Sequence, residues 1–272
     1  MPSYLPDFCL PSDPAKSVRL AEATVADAID FSEVDPLCEE EVTTLFLERL
    51  QAKEKYTDPK NWTVEDRRYA LFMYHLHTTQ FADLPLTYAC QPCSEAAGHE
   101  VTHTVSVKLA AMAEEYTPIA GKPLRDVVHE GHAVIVHPLL GVDAEIIEKT
   151  RMGIIALEQE KNTIARKERS QLALLRILSC IDIPALEGET EQERRKPVEK
   201  FILGMSTTEF QGFSTKVMNA LAEMRHGLRS VFKEGRILLE TPPVRCPEGK
   251  DKEGPGIRLQ FPFRAFDCIP RV

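Results

Sequence analysis

Val101, His103, Val105, Val107 and Leu109 stand at every second position with polar residues between them, while the stretches on either side repeat their apolar residues every three or four positions. Period two lines one face of a strand, and the longer period lines one stripe of a helix. The helical stretches are the longer ones. Val42, Leu45, Phe46 and Leu50 predict a helix over about 36–54, opened by Asp35-Pro36. Tyr69, Phe72, Met73 and Leu76 predict another over 64–80, with Thr63 and Asp66 spaced as a capping pair. Ile146, Ile147, Ile154 and Ile155, then Leu172, Leu175 and Leu178, fit two antiparallel helices or one long one, with a charged stretch over 158–169. Pro197 suits the start of a helix carrying Val198, Phe201, Ile202 and Leu203. Thr207 or Thr208 suits the cap of the next, whose face is Phe210, Phe213, Val217, Leu221 and Met224 and whose end is marked by Gly227 or Gly235.

Strand signals return at Ala133 to Val136 and in the alternation of Ile257, Leu259, Phe261 and Phe263. The expected fold is therefore α+β: one predominantly helical domain over 17–272, with small antiparallel strand regions near 101–137 and 236–266 and extended termini. The strand ending near Leu109 and the strand Ile257 to Phe263 each have an apolar face to cover, so they are expected in one small sheet or in adjacent sheets on one core. Residues 1–16 hold four prolines among Tyr4, Leu5, Phe8 and Leu10, which predicts an extended arm with these four side chains as partner-binding anchors.

The chain has 272 residues, enough to bury a core without staples. Its 33 Lys and Arg stand against 42 Asp and Glu, a net charge of −9 that repels phosphate backbones, so nucleic acid is not an expected partner. Seven scattered cysteines are an odd number and suggest reduced thiols in a cytosolic compartment. No leader-like amino terminus and no long uninterrupted apolar run are visible, so no membrane span is expected.

Cys90-Gln91-Pro92-Cys93 is the sharpest chemical signal. Two thiolates two residues apart on a turn can grip zinc, with the remaining ligands drawn from His99, His103, Cys246 or Cys268. The bland reading is a pair of buried thiols with no cofactor at all, and it stays open here. His129-Glu130-Gly131-His132 misses the metalloprotease spacing by one residue and contains Gly131. No phosphate loop or nucleophile elbow is visible, so no catalytic residue is assigned and the chain is read as a non-enzyme.

The order of short motifs carries a resemblance. An arm with Leu10-Pro11-Ser12 precedes an acidic helical stretch, then Trp62-Thr63-Val64-Glu65-Asp66 opens a helix, followed by Tyr88 to Cys93 and the strand to Leu109. The second half adds Leu175 to Asp182, a helix pair, Val244-Arg245-Cys246-Pro247-Glu248-Gly249 and Ile257 to Phe266. This layout resembles the baseplate hub assembly proteins of T-even-like and related contractile-tailed phages. The resemblance implies a structural or assembly role without catalysis, partners among tail and baseplate proteins in an oligomeric assembly, and a place in the host cytoplasm and then in the virion tail. A chaperone absent from the finished virion and a zinc-dependent enzyme are the alternatives. The family pattern implies a second Cys pair, and here Gly249 stands where its partner thiol would be.

Overall fold

Phe8–Leu10 (β1) and Asp13–Val18 (β2) form an antiparallel hairpin, with Phe8 opposite Val18. Phe8, Leu10 and Val18 are buried in the chain's own core and Leu5 packs against it, while Tyr4 is exposed. The free-arm expectation is corrected on this point. Pro11 falls in the turn, where its ring interrupts no ladder bond, and its carbonyl accepts from the Ile119 amide. The computed structural model describes residues 3–32, 35, 37–79, 83–160, 163–186, 191–233, 236–249 and 256–264.

Helices α1 (Val25–Ser32), α2 (Glu39–Leu50) and α3 (Val64–Thr78) close over the hairpin. Thr63 caps α3 as its spacing predicts, its hydroxyl accepting from the Asp66 amide. The start of α2 differs: Asp35 holds a turn and the helix begins only at Glu39. The carboxylate of Glu148, from a distant helix, receives the Glu40 amide instead.

Strands β3 (Asp83–Ala89) and β4 (Thr102–Lys108) pair in full antiparallel register around α4 (Gln91–Ala97), and α5 (Leu109–Glu114) follows. Next come β5 (Arg125–His129) and β6 (His132–Val136), then α6 (Gly141–Gln159) and α7 (Ala165–Leu178) as two helices packed together through Ile147, Ile154 and Leu172. β7 (Ile181–Asp182) joins β6 to make a three-stranded sheet, covered by α8 (Glu191–Leu203) and α9 (Thr207–Glu223). Pro197 lies inside α8 and not at its start, because the helix extends back to Glu191. The cap of α9 is Ser206, in a reciprocal capping box with Glu209, one residue before the expected threonines. Gly227 lies beyond the end of that helix, in a loop, and Gly235 is outside the described residues.

The last sheet runs β10 (Gln260–Pro262), β9 (Arg236–Glu240), β8 (Ser230–Lys233). Ile257 is only bridged to Val244, so the terminal strand is shorter than its alternation suggests. Val107 of β4 and Leu239, Phe261 and Phe263 of the carboxy-terminal strand region meet on the first core, joined there by Leu109, which begins α5 and does not extend the strand. The chain is a predominantly helical α+β domain with small antiparallel sheets, as the changing period implies. Among the described residues no helix is long and apolar enough to cross a membrane.

Candidate metal centre

Ala89 ends β3, and the chain turns at once through Cys90-Gln91-Pro92-Cys93 into α4. Pro92 suits this first helical turn, where its missing N–H would have no partner anyway. The Cys90 carbonyl accepts from the Ser94 amide, 2.9 Å, and the Cys90 amide donates to Val101 across the hairpin, 2.9 Å. Gly98 closes α4 at φ 71°, and the chain returns as β4 with His103 opposite Tyr88. Both thiols of the first turn are buried, Cys93 completely.

Cys246 arrives from the other end of the chain, 153 residues beyond Cys93 in sequence. It lies in a second turn, Cys246-Pro247-Glu248-Gly249, in which the Gly249 amide donates to the Cys246 carbonyl, 2.9 Å, with Gly249 at φ 67°. Its sulfur is 3.3 Å from Cys93 Sγ, and His103 Nε2 is 3.3 Å from Cys93 Sγ on another side. One donor atom from each of Cys90, Cys93, His103 and Cys246 lies within 4.8 Å of every other. Burial, then hydrogen bonds and charge from the neighbouring thiols, push Cys93 up to about 12. Without a cation the Cys93 thiol is protonated at neutral pH and is a poor nucleophile.

Of the four ligands open to the Cys90–Cys93 pair, the fold selects two. His99 is exposed, with Nδ1 3.2 Å from its neighbour Ala97's carbonyl, and stands apart from the cluster. Cys268 lies outside the described residues. His129 and His132 flank a tight hairpin turn, Glu130 at φ 50° and Gly131 at φ 82°, and their rings meet those of Phe213 and Phe201 edge-on. They are strand residues, so the helical protease geometry is absent from that segment.

A second polar constellation went unread in the sequence. His226 Nε2 is 2.7 Å from Thr63 Oγ1 and its Nδ1 is 2.7 Å from the Met224 carbonyl, while Asp66 takes both the amide and the hydroxyl of Ser12. The carbonyl partner makes Nδ1 a donor. Ser12 is bonded to the carboxylate and not to the imidazole, the wrong order for activating a nucleophile. Asp66 has no solvent exposure, and the set reads as a buried clamp between the amino-terminal hairpin, α3 and the loop after α9.

A third buried set joins α2, α3 and α6. Arg67 is 1% exposed and donates through Nη2 to the Glu40 carbonyl and Thr44 Oγ1, with Nε and Nη1 unbonded. Burial pulls its guanidinium down from its ordinary value, and Glu40, Glu145 and Glu148 oppose that.

Comparison with protein-family models, with curated proteins and with solved structures finds no match.

Proposed function

We propose that this chain is a non-enzymatic structural or assembly protein of a contractile phage tail, working at the baseplate or hub through protein–protein contacts. The observation that carries its non-catalytic half is the closed donor set at Cys90, Cys93, His103 and Cys246. Catalytic zinc sites use three protein ligands and leave a fourth position for water or substrate, whereas structural sites use four. Here four protein donors converge in a buried knot, a composition that disfavours the zinc-enzyme alternative. The tail assignment draws its support from the ordered motifs between Leu10 and Phe266 that resemble the hub assembly family.

Disruption of the coding sequence in a contractile-tailed phage that carries it tests this reading. The expected result is loss of completed baseplates, restored by the intact chain supplied in trans. Normal tails from the disrupted phage would contradict it. Mass spectrometry of purified particles then separates the two versions of the role, presence marking a virion component and absence an assembly chaperone.

A further inference from the structure

The far end of the β3–β4 hairpin has little to hold it. Leu84, Leu86, Val105 and Val107 reach the first core, but beyond them, among the described residues, the apolar support of the cluster around Cys90, Cys93 and Cys246 is the partly buried Tyr88 and Val101. A two-stranded hairpin is marginal on its own in water. Among the described residues three cysteines form the buried centre at that end, and a sulfur-rich core of this size offers little apolar area to offset the ordering of three chain segments.

The spacing of the donors favours a shared ion over other pairings. At a zinc–sulfur distance of about 2.3 Å, the edges of a tetrahedron are roughly 3.8 Å long. The donor separations here, from 3.3 Å at Cys93 to at most 4.8 Å, bracket that edge. A disulfide would need sulfurs at about 2.05 Å, and Cys93 and Cys246 stand well beyond it. The two turns also match in design: each places a cysteine carbonyl to accept a backbone amide from three or four residues on, which curls the chain around the sulfur. The first turn presents two thiols, and the second presents one, with Gly249 at the place of the other.

We propose that Cys90, Cys93, His103 and Cys246 form a tetrahedral structural zinc site, in which His103 from β4 fills the position that the second turn leaves to Gly249. Zinc displaces three thiol protons to solvent and binds His103 through Nε2 as the neutral imidazole. Three thiolates and one divalent ion leave a single negative charge, smaller than the two that four thiolates would bury. Three thiolates and an imidazole are a borderline-soft set that suits zinc and excludes magnesium or calcium. The inference rests on donor geometry and is independent of the tail assignment.

Metal analysis of the full chain, purified under reducing conditions without chelator, is expected to find one zinc per chain. Exchange with cobalt(II) is expected to give intense thiolate-to-cobalt absorption and the visible bands of a tetrahedral ion. Cys246→Ser should weaken zinc binding by at least about tenfold, the scale already seen for disturbing a ligand's outer partners. His99→Ala should leave binding unchanged, and His103→Cys should keep the zinc while strengthening the thiolate absorption of the cobalt form. The last variant preserves the tie, so it decides the matter if Cys246→Ser fails to fold. A protein with no zinc and no cobalt bands, a Cys246→Ser variant that binds as tightly as the parent, or a denatured thiol count two below the chain's seven would each overturn the proposal.

Discussion

Gly141 shows how one residue without a side chain permits a buried charge. It is the first residue of α6, and a Cβ there would overlap Arg67 Nη1 and sit 2.8 Å from the Pro59 carbonyl. Helix propensity alone favours alanine over glycine by up to about 1 kcal/mol, so the two arguments have opposite signs. Arg67 is enclosed and the Pro59 carbonyl is backbone, so neither can step aside, and overpacking of this kind costs roughly 1–3 kcal/mol. Gly141→Ala is therefore expected to lower the urea midpoint; an unchanged or raised midpoint would show that the guanidinium has room to move. Glu148 supplies a pH signature beside it. Burial, reinforced by the charges of Glu40 and Glu39, pushes its carboxyl up to about 7 from its ordinary 4.5. The native state then holds a proton that the unfolded chain has lost between those pH values, so this group's contribution to stability falls as pH rises through that window. Glu148→Gln is expected to raise the melting temperature at pH 8 and to lose that advantage by pH 4.5. An advantage that is equal at both ends would remove titration as its cause. Thr63 was readable as a cap because its partner is three residues away, whereas the Glu148 carboxylate at the start of α2 lies more than a hundred residues from it and leaves no local trace.

Elements were legible in proportion to their length and regularity. The periodic helices α2, α3, α6, α7 and α9 appear near their expected places, and β4 and β6 follow their apolar patterns. β3 was not read, because Pro85 in its middle argues against a strand even though Leu84, Leu86 and Tyr88 alternate; Pro85 is tolerated because, among the described residues, β3 pairs with β4 alone and is an edge strand. The amino-terminal hairpin was misread for a related reason, its prolines outweighing the buried positions Phe8, Leu10 and Val18. Removing this hairpin should therefore cost stability. Leu10 is 1% exposed among large apolar neighbours, and Leu10→Ala at such a site costs about 2–5 kcal/mol. Loss of residues 1–12 should likewise reduce cooperative unfolding, since it also strips Ser12 from Asp66. A truncated chain that melts like the parent would restore the picture of a dispensable arm.

At the scale of the molecule, the candidate centre was half legible. The Cys90–Cys93 spacing announces a turn able to grip a metal, but nothing local chooses His103 over His99 or brings in Cys246. That choice is made by the register of β3 with β4 and by the packing of β9 and β10 on the first core. The site joins the hairpin to a turn near the other end of the chain, so a shared ion there would tie together segments 153 positions apart in sequence. Metal-binding free energy at such a site is folding free energy, and its removal should be felt by the whole domain. The direct measurement is the thermal unfolding of the reduced full chain before and after treatment with a zinc chelator, followed by zinc return. Chelation is expected to lower the melting temperature, with recovery when zinc is restored and no effect of magnesium. Coincident melting curves in all three states would contradict a zinc-closed scaffold.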